Sequence, residues 1–448
     1  EAATHNAVGK LYIRLNKDPQ QFLLHNQFYD SAVVGKFCEK LDPFLAFLAY
    51  KRAWGKCDDE LISVTNSHGL FKDQARYLVE RQDFALWTRV LSDDNEFKRQ
   101  LIDEVVGTAL PENTNADALG ATVKAFMDAE LPKELIELLE KIILQGSGND
   151  FCENENLQNL LILTAIKADP PRVMDYIERL NNFNGAAIAK IARSDEYKLY
   201  EEAFAIYKKF KLDEDAVDVL LFQLKNLERG FDYAERVDTS DVWSKLAQAQ
   251  LEENLTRDAI KSYVRANNAS NYAQVIERCQ EEDNYEDLVT YLTMARTSIK
   301  EKVVDTELIF AYAKTGMLVE LETFIASPNI GNIQAVGDRA FSAGMFDAGK
   351  VLFKTISNFA MLTSCHLNLQ EFRESVDAAK KANSVRTWKE VNKVCVLEGK
   401  FEFAAQAGLA IVVNPDHLDE VVYLYERLGY FDKIVELLEQ GLGSEQAH

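Results

Sequence analysis

The sequence predicts an all-α fold, an α-solenoid of stacked short antiparallel helical hairpins, on three observations. Polar turns centre near Asn254, Asn284, Gly316, Gly344, Gln370, Gly399 and Gly429, at steps of 30, 32, 28, 26, 29 and 30 residues. The segments between them carry helical apolar spacing; a period near thirty with helices between turns marks an array in which each hairpin buries a face against its neighbours. Third, Trp243 in Asp-Val-Trp-Ser-Lys-Leu-Ala and Trp388 in Arg-Thr-Trp-Lys-Glu-Val stand 145 residues apart in matching contexts. No run of strict apolar–polar alternation suggests a sheet.

In chain order, the elements follow from local chemistry. Pro132 in Leu131-Pro-Lys-Glu-Leu-Ile fits a first helical turn, where the missing N–H costs nothing. Pro171, after Pro170, reads the same way and opens a helix over 172–180, and Pro415 opens another. Two connections look longer, Ala109–Ala118 and Gln145–Asn156. Lys314-Thr-Gly316, Ala343-Gly344-Met345, Glu398-Gly399-Lys400 and Leu428-Gly429-Tyr430 read as helix exits, with glycine where a left-handed residue ends the turn. Such short breaks make tight helical hairpins. An aromatic followed by a small residue recurs after the breaks, as Phe346 with Ala348, Phe401 with Ala404 and Phe231 with Ala234. The aromatic is expected to wedge into the start of the second helix and the small residue to sit at a crossing. Phe401, Ala404, Ala405, Gly408, Leu409 and Val412 form one helical stripe, with alanine and glycine where a neighbour approaches closely.

Tryptophan marks a larger period. Trp87, Trp243 and Trp388 each follow a helix with a charged end and a polar break, at intervals of 156 and 145 residues. This divides the chain into three blocks, 1–144, 145–295 and 296–448, with the 11-residue excess in the long connections between Trp87 and Asn156. Trp388 is expected to be buried between hairpins.

Composition excludes several functions. At 448 residues and 47% hydrophobic the chain is too long for one ordinary core and too apolar for disorder. Its 50 basic and 72 acidic residues give a net charge of −22, which repels bare nucleic acid and anionic lipid. No apolar run reaches the roughly 20 residues of a membrane span, and the opening Glu1-Ala-Ala-Thr-His carries no signal core. Cys38, Cys57, Cys152, Cys279, Cys365 and Cys395 are thinly spread, as expected of reduced, core-packed thiols in the cytosol rather than a disulfide framework.

Nothing points to catalysis, a cofactor or a metal. His5, His25, His68, His366, His417 and His448 form neither HExxH nor a Cys/His cluster. Cys365 and His366 are adjacent and so face different sides of a helix, reading as core thiol and surface imidazole. Gly146-Ser-Gly148 reads as a flexible turn, and Asp58-Asp-Glu60 and Glu281-Glu-Asp283 as solvated turns. No site residue is assigned: catalytic, cofactor-binding and metal positions are all none.

Longer strings carry a resemblance. Tyr29-Asp-Ser-Ala-Val-Val-Gly-Lys-Phe-Cys-Glu-Lys, Thr122-Val-Lys-Ala-Phe-Met, Leu131-Pro-Lys-Glu-Leu-Ile-Glu-Leu-Leu-Glu-Lys and Asn156-Leu-Gln-Asn-Leu-Leu-Ile-Leu-Thr-Ala-Ile-Lys-Ala-Asp are among them. Glu201-Glu-Ala-Phe-Ala-Ile-Tyr, Thr306-Glu-Leu-Ile-Phe-Ala-Tyr-Ala-Lys-Thr and Ala382-Asn-Ser-Val-Arg-Thr-Trp-Lys-Glu-Val continue the series. They resemble the clathrin heavy-chain family, whose leg is a superhelix of blocks of about 145 residues, each a stack of short helices.

The resemblance implies a non-enzymatic coat protein and places this chain at the third to fifth leg blocks: distal leg, knee and the start of the proximal leg. The implied partners are other heavy chains, through leg–leg lattice contacts; the hub that makes trimers would lie outside this stretch. So would most of the light-chain-binding leg and the propeller that takes adaptors. Neither nucleic acid nor direct membrane insertion is implied, and the implied location is the cytoplasmic face of coated pits and vesicles. Two other solenoid readings compete. A different vesicle-coat or vacuolar sorting subunit would not reproduce the 145-residue super-period and the quoted strings. A tetratricopeptide binder would keep a strict 34-residue period.

Overall fold

The computed structural model describes residues 2–110, 115–145, 150–413 and 415–445. Among these residues there are thirty α-helices, short 3₁₀ and π turns, and no strand. The helices run from 6 to 15 residues. At such lengths an isolated helix is marginal in water, so packing of successive hairpins holds them. The chain is an all-α solenoid, as the period predicts.

Local chemistry begins the helices. Asp30 accepts from the N–H groups of Ala32 and Val33, Asp42 from Phe44 and Leu45, and Asp83 from Ala85 and Leu86. Asn154, Asn184, Asn226, Asn332 and Asn358 cap in the same way. Each such cap is worth about 1 kcal/mol. Pro132 stands at the first position of the Pro132–Leu144 helix, as expected. Pro170–Arg172 and Pro415–His417 are 3₁₀ turns leading into Val173–Arg179 and Leu418–Leu428.

The helix exits repeat one device. Asn254, Gly316, Gly344, Gln370, Gly399 and Gly429 all have φ between 61° and 78°. The N–H of the following residue returns to a carbonyl five residues back in each case, as Met317 to Tyr312 at 3.0 Å and Lys400 to Cys395 at 2.7 Å. One turn is displaced from its predicted centre. Asp283, at φ 55°, is the left-handed residue, while Asn284 sits at φ −95° and holds Asp287 Oδ2 at 2.9 Å.

Two compact units divide the chain, Glu1–Val219 and Leu220–His448. In the first, Gly35 on Ser31–Cys38 lets the Tyr50 ring of Pro43–Lys51 press against the helix; a Cβ there would lie 2.3 Å from Tyr50 Cε1. Gly185 serves Phe210 likewise, and Phe210 meets Phe183 edge-on at 4.9 Å. Lys209 Nζ donates to the carbonyls of Ile177 (2.7 Å) and Leu180 (2.5 Å), closing the end of Val173–Arg179. The predicted connection at 109–118 is shorter than expected. A π turn spans Val105–Ala109 and a helix starts at Ala116, with residues 111–114 outside the described residues. The connection at 145–156 likewise yields a 3₁₀ turn at Asp150–Glu153 and a helix from Glu155, and Gly146-Ser-Gly148 lies outside the described residues.

In the second unit one apolar core gathers Tyr263, Tyr291, Leu308, Leu321 and Leu352, and another gathers Phe372, Trp388, Val391, Cys395 and Ile411. Trp388 is 8% exposed, in the place predicted for it. Two predictions need correction. On Phe401–Val412 the buried positions are Ala404, Ala407, Gly408 and Ile411, while Phe401, Ala405, Leu409 and Val412 pack half-buried against the same core, so the predicted stripe faces inward but is not centred on the deepest positions. The Leu437 side chain packs where a Cβ on Gly408 would stand. Phe231 does not follow a break; it lies inside Leu227–Val237, 41% exposed, with its ring edge-on to Trp243 at 5.7 Å.

Candidate functional site

In a repeat array the working parts are the seams between neighbours, so the structure is best read from its recurring unit. The three marker tryptophans occupy one position in that unit. Each is the fourth residue of its helix, in Phe84–Val90, Ser240–Glu252 and Val385–Leu397. Each stands five residues after a left-handed residue, Gln82, Asp238 or Asn383, that ends an 11-residue helix. All three are buried. Trp243 donates from Nε1 to Asp238 Oδ1 at 2.8 Å and lies under the Arg265 guanidinium. Trp87 packs edge-on to Phe126.

A second recurrence was not foreseen. Ion pairs join residues one repeat apart: Lys51–Glu80, Arg89–Asp59, Arg99–Glu134 and Arg172–Glu140 in the first unit. Arg257–Asp287, Lys314–Asp283, Arg339–Glu307 and Lys389–Glu420 continue in the second. Their sequence separations run from 29 to 35 residues. Other, shorter rungs are hydrogen bonds between uncharged groups. The N–H of Asp30 donates to Asn6 Oδ1 at 2.7 Å, that of Asn184 to Asn159 Oδ1 at 2.8 Å, and that of Asn332 to Thr306 Oγ1 at 2.9 Å. One exposed pair contributes little, up to about 1 kcal/mol. Such pairs follow the stacking of each hairpin on the last, which the buried cores hold. Charges of opposite sign at one repeat spacing were the available signal, hidden among many exposed charges.

Several sequence readings change at this level. Asp58, Asp59 and Glu60 are not a loose turn. They form the first turn of Asp58–His68, where carboxylates favour the helix N-terminus. Asp58 accepts from the Tyr77 hydroxyl and pairs with Arg81 at 3.6 Å. Glu281, Glu282 and Asp283 are exposed, but each has a partner: Arg278, Thr256 and Lys314. His366 is not a surface imidazole. Its side chain is 12% exposed, with Nδ1 2.6 Å from Glu371 Oε2, and Lys350 reaches the same carboxylate at 2.8 Å. Lys350, with His366 behind it, holds Glu371 below the usual carboxylate range. That contribution to stability is present above the ordinary carboxylate range and is lost as pH falls through the lowered value.

The cysteines are free, and all but Cys152 are buried. Burial pushes the thiols of Cys38, Cys279 and Cys365 up to about 12 and that of Cys395 to about 11. A buried, protonated thiol is a poor nucleophile. Alkylation of the native chain at pH 7.5 is therefore expected to mark Cys152 first, read by peptide mass spectrometry. Equally rapid marking of Cys279 would contradict this packing. Among the described residues no group of three or more His, Cys, Asp or Glu side chains is placed to hold a metal, and no helix is long and apolar enough to cross a membrane.

Short helices paired by left-handed exits, with a buried tryptophan at a fixed station and charged rungs one repeat apart, define a helical-repeat protein. A family model described as the region in clathrin and VPS matches residues 1–102, 110–258 and 263–403. The chain belongs to the clathrin heavy-chain family. It is 55% identical to the clathrin heavy chain of Dictyostelium discoideum over all 448 residues, and 53% identical to that of Drosophila melanogaster over the same length. A probable clathrin heavy chain 1 of Caenorhabditis elegans is 52% identical, again over the whole chain. In each case the chain spans about a quarter of the relative's length, 26%. A solved APC/C hetero-tetramer, Cut9–Hcn1, aligns over 98% of this chain and 84% of its own at 12% identity; with a TM-score of 0.18 it carries no argument.

Proposed function

We propose that this chain is a leg segment of a clathrin heavy chain, a structural, non-enzymatic stretch that forms edges of the polyhedral lattice around coated pits and vesicles. The observation that carries the reading is the family match along most of the chain, joined to a seam crossed repeatedly by ion pairs about one repeat apart. Blocks 1–144, 145–295 and 296–448 would correspond to distal leg, knee and the beginning of the proximal leg. Neighbouring heavy chains are the direct partners, through many weak contacts whose sum is stable while each remains reversible. Light chain and adaptors would engage parts of the full protein mostly outside this stretch, on the cytoplasmic face of the membrane.

A chimera tests the proposal. The matching quarter of the Dictyostelium discoideum heavy chain is replaced by this chain, and cage formation is followed by electron microscopy. Closed cages are expected; trimers that form but do not close would overturn the reading. The isolated 448-residue chain should sediment as a monomer at pH 7.5 and self-associate at most weakly at pH 6, as protonation lowers the repulsion of its −22 charge. A stable trimer at pH 7.5 would contradict a leg assignment.

A further inference from the structure

A cleft of about 210 Å³ opens between the Val385–Leu397 and Leu418–Leu428 helices. Its floor is apolar, with Ile411, Val421 and Leu424, and the buried Asn392 amide beside them already donates to Ala404 O and the Tyr425 hydroxyl. Three cations surround this floor: Lys389, Lys393 and Arg427. Lys389 holds the Glu420 carboxylate at the rim and draws it below the usual range. Lys393 and Arg427 are exposed and meet no carboxylate among the described residues.

Acidic residues outnumber basic ones 72 to 50 in this chain, so most cations have carboxylates to hand. Two left open beside an apolar floor make a locally positive, partly greasy recess. Repulsion from the distant acidic surface fades within about 8 Å at physiological ionic strength, so the recess acts through its own charges. A bare anion would satisfy the cations and leave the floor uncovered. A long polyanion would meet the −22 charge along its length.

We propose that the cleft docks an acidic peptide segment of a partner protein. Carboxylates of that segment pair with Lys393 and Arg427, and an aliphatic side chain covers Ile411, Val421 and Leu424. Glu420 on Lys389 shows the same pairing made within the chain.

Fluorescence anisotropy tests this, with the 448-residue chain and a fluorescein-labelled peptide Glu-Asp-Leu-Glu-Glu-Leu-Asp. The wild type should bind it, weaken with added salt, and ignore the counterpart in which every acid is an amide. Reversal of both cations, K393E/R427E, should weaken binding at least about tenfold, while K393R/R427K stays close to wild type. K17E/K40E, the same charge change at two exposed lysines elsewhere, should leave binding nearly unaltered. Equal binding by wild type and K393E/R427E, or none by the wild type up to about 1 mM, would overturn the proposal. So would self-association of the wild type abolished in K393E/R427E, because the occupant would then be a second copy of the chain.

Discussion

Trp388→Ala is expected to remove about 3–5 kcal/mol from the packing around it, the cost of a large buried cavity. The indole is 8% exposed and shares a core with Phe372, Val376, Val391, Cys395 and Ile411, drawn from successive helices. Repeat arrays lose structure in pieces, so amide exchange over 372–412 should accelerate strongly while the Glu1–Val219 unit keeps its protection. Unchanged protection at 372–412 would refute the packing.

Gly35→Ala is the second large effect, and its sign is the informative part. In an exposed helix interior the change would stabilise by roughly 0.5–1 kcal/mol. Here the new Cβ would lie 2.3, 2.6 and 2.7 Å from three atoms of the Tyr50 ring. That ring is 1% exposed and its hydroxyl is held by Glu39 Oε1 at 2.5 Å, so it has nowhere to turn. The two helices must separate, at a cost of about 1–3 kcal/mol. Exchange over 31–51 should rise, and Tyr50→Leu in the same chain should recover part of the loss. A Gly35→Ala chain more stable than wild type would show that the helices are not in contact there.

Both sites bear on how far the sequence could be read. The turns in the second unit were legible because glycine, asparagine or glutamine stands at nearly every left-handed exit, from Asn254 to Gly429. Upstream the same conformation also falls to Glu130 and Lys211. Those residues have no turn signature, and the period fades to the eye although the exit geometry persists. The tryptophan stations were legible because a rare residue marks them. The exact rotation of the Phe401–Val412 helix was not, since alanines at 404, 405 and 407 present two nearly equal small-residue faces on either side of Gly408. His366 was misplaced for a related reason. Adjacency to a core cysteine sets its direction within the helix but says nothing of Lys350, from the preceding helix, and Glu371, at the start of the next, which close over it. The ion-pair ladder depends on knowing the repeat step first.

That ladder limits how the length of such a chain can change. Every rung counts residues from one hairpin to the next, so one residue inserted within a helix would turn all later side chains of that helix by about 100° and break its rungs. Additions are tolerable only between stations. Arg99–Glu134 shows the outcome: at 35 residues it is wider than the other rungs described above, and it spans the π turn at Val105–Ala109. A π turn is what an α-helix becomes when it absorbs one extra residue. The charged pair survives the longer span because the surplus was taken up before the next helix began. Drift in repeat length from 26 to 32 residues is therefore compatible with a constant seam, and neutral insertions should accumulate at the connections and be purged from the helices.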